Sequence, residues 1–425
     1  MKILMVCNGA YPDEIGGAHT YVYELARHLA QLGHDTSILT RRNTPDLPME
    51  ETVDGIRYMR YPYHDTGDPV RWRYLLRAGA RAGFDAIADQ GFDVIHGHWP
   101  HSSSGVFNHW RARSALRVYT FHSPSFEEEQ VEAEVLRRKE KRGLRHCMKR
   151  LWVPLSIREK HSCEQRVLKR AGMVFVLSRY MQGRLLDNFN VPADRIRVVP
   201  GGVDTERFCP ADDRPAIRER LGLAPDKQVL LTVRRLVPRM GLKTLVEAMP
   251  AVLQQHPGTV LCIGGAGPLR ADLLRQVHEM GLENSVRLLG LISAENLPDW
   301  YRAADYFIMP SEYLEGFGLA TLEAMACGTP TLGTAVGGTA ELLTGIDTSL
   351  LFNGSAASHL ADGIVFHLAN QTAARLRERL VRHARKVYAW STIAPWIASL
   401  LQEELDGLRR RQGRPPAVVM PGAGR

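Results

Sequence analysis

Two glutamates, Glu315 and Glu323, bracket the stretch EGFGLATLE, eight positions apart, with two glycines, a phenylalanine and the start of an apolar run between them. Carboxylates of this kind accept hydrogen bonds from hydroxyl pairs such as those of a sugar. Were the whole stretch helical, eight steps of about 100° would leave the two side chains roughly 80° apart and off any common face. Glu315 is therefore expected in a loop, and Glu323 on a helix that opens near Gly318. The free N–H groups of Phe317, Gly318 and Leu319 would then face an anion or sugar hydroxyls. Glycines at 316 and 318 let a ligand approach the backbone. Glu323 suits the vicinal diol of a ribose, as acidic residues do in dinucleotide sites, and Glu315 suits a hydroxyl of a second sugar. A capped helix carrying ordinary surface glutamates would read the same way, so other stretches must decide.

LTVRRLVPRMGLK places Arg234, Arg235 and Arg239 between the end of a predicted strand and a helix opening at Gly241. Arginines can clamp a diphosphate through paired hydrogen bonds. Cations at a helix N-terminus oppose its dipole, and an anion held between them relieves the conflict. CIGGAGPL supplies a glycine-rich turn at Gly264, Gly265 and Gly267, and PDEIGGAHTYV another at Gly16 and Gly17. One such turn is weak evidence; one in each half of the chain is stronger. Among His96, His98, His101, His122 and His161, the expectation falls on His122 in YTFHSPS, at a predicted strand end. The loops beginning at His98 and His122 are expected to build an acceptor pocket. No Asp-x-Asp pair occurs, which argues against a metal held between aspartates. The charge of a diphosphate is then met by arginine and a helix N-terminus.

The elements that must position these residues are legible as short apolar runs between longer helical patterns. Lys2–Val6, Thr36–Thr40, Asp93–His96, Arg117–Phe121, Met173–Leu177 and Ile196–Pro200 read as buried strands. After a Gly/Pro/Asp-rich linker from Val198 to Pro215 the pattern restarts with Gln228–Val233, Thr259–Gly264, Val286–Gly290, Asp305–Pro310 and Pro330–Thr334. Continuous apolarity suits parallel strands covered on both faces. The expectation is α/β: two Rossmann-like, doubly wound domains facing a cleft, with ligands at the carboxyl ends of the strands. The chain has 425 residues, 44% of them hydrophobic and 24% charged, and a net charge of +8, all ordinary for a soluble protein with large cores. Six scattered cysteines without metal-ligand spacing, and no apolar run of membrane-spanning length, point to a cytoplasmic protein. Glu127–Lys169 reads as a charged, solvated helical hairpin, or as a surface for an anionic membrane or acceptor. Arg409–Arg425 reads as a disordered basic tail. Nothing suggests nucleic acid as a partner.

Taken together, the chain resembles the retaining glycosyltransferases of family 4, which have the GT-B fold. The resemblance rests on Glu315-x7-Glu323, on GGAHTYVYELARHLAQLGHDTSILT, on VVPGGVDTERF and on YAWSTIAPWIASLLQEEL, in that family's order. It implies an N-terminal acceptor-side domain over 1–203, a donor-binding domain over 204–387, and a helix over 388–408 returning to the first domain. It also implies transfer of a sugar from a nucleoside-diphosphate donor to a saccharide, lipid-linked or small-molecule acceptor, with retention and with no cofactor or metal. By resemblance Glu323 binds the ribose, and Glu315 binds the donor sugar beside the N–H groups of Phe317, Gly318 and Leu319. Arg235 binds the diphosphate and stabilises its departing charge, Gly17 lies beside the diphosphate, and His122 lies near the sugar. The family's usual lysine before Gly241 is here Met240, so Arg239 or Lys243 is expected to supply the second charge. Cell-surface polysaccharide or lipopolysaccharide assembly is the expected setting. An epimerase on the same fold and a non-catalytic nucleotide-sugar-binding subunit are the competing readings. A dinucleotide oxidoreductase is disfavoured, because CNGAYPDEIGG after the first strand lacks the required glycine spacing.

Overall fold

A computed structural model describes residues 1–62, 69–131 and 144–413 of the chain. Eight strands form the first sheet: β1 (Lys2–Val6), β2 (Asp35–Arg41), β3 (Glu50–Val53), β4 (Ile56–Tyr61), β5 (Val94–Gly97), β6 (Leu116–Phe121), β7 (Met173–Val176) and β8 (Ile196–Val198). Their order is β3-β4-β2-β1-β5-β6-β7-β8, all parallel except β3 against β4. Six more form the second: β9 (Gln228–Val233), β10 (Thr259–Gly264), β11 (Val286–Gly290), β12 (Tyr306–Met309), β13 (Thr331–Thr334) and β14 (Leu351–Phe352), in the order β11-β10-β9-β12-β13-β14 and all parallel. The expectation of two doubly wound sheets holds.

The apolar runs work as the pattern demands. In β1, Ile3 and Met5 enter one core cluster while Leu4 and Val6 enter another, so both faces are covered. The β3–β4 hairpin was not anticipated. Its turn is Asp54-Gly55, both at positive φ (50° and 79°), the geometry that matches a hairpin's twist. Its strand Glu50–Val53 is polar and lies at the sheet edge, where burial leaves no apolar signature.

Glu127–Lys169 is not simply a solvated face. The helix Leu144–Arg170 turns some of its charges inward: Glu159 and Lys160 join Arg73 and Glu129 in an ion-pair network with the helix Pro69–Asp85. Glu164 is buried, bonds Tyr119 at 2.9 Å, and is pushed up to about 8 by desolvation. Residues 132–143 of that reading, and 414–425 of the expected tail, lie outside the described residues.

The final helix, Trp390–Arg411, leaves the second domain and packs on the helix Gly17–Gln31 of the first. Trp390 is buried against Tyr21 and His28, with ring centroids 5.5 and 5.6 Å apart. Val203 and Ala389 pair as a short parallel bridge, and Arg409 reaches Asp93 at 2.6 Å. One apolar cluster consequently runs from the first sheet through Trp390 and Ile393 into the second domain. No described helix is long and apolar enough to cross a membrane.

Candidate active site

Strand β9 delivers its arginines to the carboxyl edge of the second sheet, and they part company there. Arg234 turns inward: its side chain is 5% exposed, and Nη2 donates to Glu315 Oε2 at 2.5 Å. Ser311 Oγ donates to the same oxygen at 3.0 Å. Desolvation lowers the Arg234 pKa, and the Glu315 carboxylate opposes that. Arg235 is exposed and faces the first domain. Its charge helps hold His19 down, behind the larger effect of burial. Arg239 is buried and committed elsewhere. Nη1 donates to the Leu314 carbonyl at 2.8 Å, and Nη2 to Glu128 of the first domain at 3.1 Å. Lys243 lies 3.5 Å from Asp272, and Met240 is buried. The expectation that Arg239 or Lys243 replaces the missing lysine therefore meets two cations that already have carboxylate partners. Gly241 opens the next helix at φ 68°, with the Pro310 carbonyl where a Cβ would sit.

Gly265 and Gly267 lie beside Arg234 and Leu236. Their positive φ and tight fit to those two carbonyls seat the turn on the 234–236 backbone. Packing thus explains these glycines without a ligand.

Glu315 lies in the loop and Glu323 on the helix Leu319–Ala326, which Gly318 caps at φ 93°. Gly16 caps the helix Gly17–Gln31, and Gly17 stands within 3.7 Å of the Leu319 Cδ1 for any added Cβ. Two helix N-termini, one from each domain, therefore meet across the cleft, and their dipoles favour an anion between them. Glu323 opens into a cavity lined by Thr20, Glu24, Asp204, Arg207 and Trp390. Its Oε2 accepts from the Tyr301 hydroxyl at 2.7 Å, and desolvation pushes its pKa up to about 7. Phe317 is buried against the linker at Gly201. Gly316 backs onto the His122 carbonyl, 2.7 Å from where a Cβ would stand.

His122 heads a column of imidazoles. Its Nε2 is 3.2 Å from His98 Nδ1, His98 lies against His96 at 4.3 Å between centroids, and His96 Nε2 bonds Thr120 at 2.7 Å. Burial pushes His96 and His122 down to about 3 and His98 well below its usual value, so all three are neutral. His98 is buried behind His122 rather than lining the cleft. His161 bonds the Asn188 carbonyl and stacks on Phe189. His101 lies with Glu159 and Cys163 in the one trio of metal-ligand type among the described residues. Arg77 donates to both Glu159 and Cys163, which puts a cation there already.

The fold therefore gathers Gly17, His122, Arg235, Glu315–Leu319 and Glu323 along one interdomain cleft. Sequence reasoning missed Tyr301, Glu24, Asp204, Arg207 and Trp390, which shape the Glu323 cavity. It offered Arg234 as one of three arginines for a diphosphate, whereas the structure commits it to Glu315. Trp390 stood within the quoted final helix, but nothing local marked it as part of a site.

Two parallel α/β domains with their strand ends and helix N-termini turned on a shared cleft are the GT-B architecture. The sequence model described as Glycosyltransferase Family 4 matches residues 15–207, and that described as Glycosyl transferases group 1 matches residues 213–387. A D-inositol 3-phosphate glycosyltransferase of Thermobispora bispora is 30% identical over 93% of this chain and 92% of its own. The sucrose-phosphate synthase of Thermosynechococcus elongatus superposes with a TM-score of 0.75 at 25% identity, over 96% of this chain and all of that one. Anabaena HepE, solved with UDP and glucose, superposes at 0.72 and 21% identity, over 95% of this chain and all of its own. The chain belongs to the family 4 glycosyltransferases.

Proposed function

We propose that this glycosyltransferase moves a hexosyl group from a nucleoside-diphosphate sugar to a hydroxyl of a small phosphorylated polyol or sugar, with retention. The observation that carries the donor half is the meeting of the helix N-termini at Gly17 and Leu319, with Arg235 within electrostatic reach of His19 on the first of these helices and Glu323 in the adjoining cavity. The diphosphate sits between the two N-termini, where Arg235 takes up the charge that develops as it leaves. Glu323 holds the ribose diol. Glu315, oriented by Arg234 and Ser311, holds a donor-sugar hydroxyl. His122 is neutral and offers the sugar a hydrogen-bonding imidazole rather than a titrating acid or base. As the sugar becomes oxocarbenium-like, the departing phosphate oxygen takes the acceptor proton on the same face, so no strong protein base is needed. Two helix N-termini and an arginine supply the counter-charge for which other transferases use a metal, so the reaction runs in chelator.

The acceptor class follows the relatives, whose names carry inositol 3-phosphate and sucrose-phosphate. The expected setting in polysaccharide or lipopolysaccharide assembly stands beside it as the alternative acceptor class. The test is a thermal-shift panel of UDP, GDP, ADP and dTDP on wild type and Glu323→Ala, followed by transfer from the matching sugar nucleotide to inositol and hexose phosphates. One stabilising nucleotide whose effect shrinks in the variant supports the site. A folded protein indifferent to all four at millimolar concentration rejects it. Conversion of the donor without any acceptor would make the protein an epimerase instead.

A further inference from the structure

The backbone on either side of Glu315 is held by the other domain. Leu314 adopts φ 49°, a left-handed conformation that is uncommon for a residue with a side chain. Its side chain is 1% exposed and joins an apolar cluster otherwise built from the first domain, with Phe121, Phe126 and Met181. Its carbonyl accepts from Arg239, whose second arm grips Glu128 of the first domain. Glu128 also accepts from Ser123, the residue after His122, at 2.8 Å. On the far side of Glu315, the Gly316 carbonyl accepts from Ser178 Oγ of the first domain at 2.7 Å. The turn containing Ser178 is itself clamped by the second domain, where Glu341 accepts from the N–H groups of Arg179 and Tyr180 at 3.0 and 2.6 Å.

We infer that domain docking is what presents the Glu315 carboxylate, with Glu128, Arg239, Leu314 and Ser178 as the positioning residues that couple the two. A strained residue persists where its surroundings over-determine it, and for Leu314 those surroundings span both domains. When the domains part, Leu314 loses its apolar seat, Arg239 loses Glu128, and the Gly316 carbonyl loses Ser178. The loop then relaxes and Glu315 no longer holds its place, although Arg234 remains beside it. The nucleotide keeps Glu323 and the helix at Leu319 when the loop relaxes, and loses only the first domain's share of its site at Gly17. Donor-sugar recognition is thereby confined to the closed enzyme, which limits exposure of the activated sugar to water. The second half of this inference rests on the donor-site reading of Glu315; the coupling does not.

Hydrogen exchange read by mass spectrometry on the full chain tests it, with Glu128→Ala and Leu314→Ala beside wild type. Neither side chain belongs to the 315–318 segment that is observed. Amides of 315–318 are expected to exchange about tenfold faster or more in both variants, Glu128→Ala removing a charge-assisted hydrogen bond and Leu314→Ala a buried apolar anchor, while those of Tyr306–Met309 keep their wild-type rate. In parallel, UDP, UDP-glucose, ADP-glucose and GDP-mannose are titrated. The variants are expected to lose more affinity for the sugar nucleotide that wild type binds than for bare UDP. Unchanged exchange at 315–318 overturns the coupling, as does exchange that quickens equally in Tyr306–Met309. A loop that loosens while no sugar nucleotide binds wild type leaves the coupling standing and rejects the donor reading.

Discussion

Glu323 and His122 share a cleft, yet desolvation drives them in opposite directions, and the consequence can be measured. Glu323 has a folded-state pKa of about 7 against a usual 4.5. The folded protein therefore binds this proton more tightly than the unfolded chain. Its stabilising contribution is whole below the unfolded value and is lost as pH rises through about 7. In the proposed donor site a ribose diol would donate to the ionised carboxylate, so nucleotide binding is expected to expel the proton. Affinity is expected to rise between pH 6 and 8, by up to about tenfold per unit below the pKa. Calorimetry in two buffers of different ionisation enthalpy should detect the released proton in wild type and miss it in Glu323→Gln, which titrates nothing at this position. Equal proton release in both would exclude Glu323 from the ribose. His122, at about 3, should contribute no inflection to a rate profile between pH 5 and 9. Arg235→Ala is expected to cost about 10²–10³-fold in the rate of transfer, the usual range for loss of one preorganised charge-stabilising donor. A loss confined to KM would show that Arg235 binds substrate without stabilising the leaving group.

At the scale of elements, the helix Leu319–Ala326 brings an anion-binding N-terminus to the cleft because Gly318 lets the chain turn into it. At φ 93°, with Thr339 Oγ1 occupying the space of a Cβ, an alanine there is both strained and crowded. Gly318→Ala should cost about 1–3 kcal/mol and shift the N–H groups from their common target. A melting temperature and nucleotide affinity both equal to wild type would show that the turn is not demanding. The same scale shows where pattern reading fails. Parallel strands buried on both faces announced themselves as apolar runs. The β3–β4 hairpin did not, since one of its strands is a polar edge and its main local signal was the Asp54-Gly55 turn.

At the scale of the whole molecule, the final helix ties the second domain back to the first. Trp390 is 2% exposed between Tyr21, His28 and the linker, whereas the Arg409–Asp93 pair is partly solvated. Burial outweighs the ion pair: Trp390→Ala should cost about 3–5 kcal/mol, and Arg409→Ala about 1 kcal/mol or less. Thermal unfolding of the two variants checks the ranking. Comparable losses would mean that the polar end of the helix anchors it after all.

What the order of residues settled alone was everything carried by short-range periodicity and backbone chemistry. Two runs of alternating strands and helices, a loop placing Glu315 and a helix carrying Glu323, and glycines at the turns all follow from interactions within about ten positions along the chain. The tertiary structure decided which charges remain for a ligand. Arg234, Arg235 and Arg239 are neighbours in sequence and look equivalent there, yet one serves Glu315, one is solvent-exposed, and one ties the domains through Glu128, 111 residues away. Tyr301 meets Glu323 across 22 residues, and Ser178 meets Gly316 across 138. Burial sets the proton affinities of Glu323 and His122, and burial is a property of how two sheets close on one another, which no local pattern encodes.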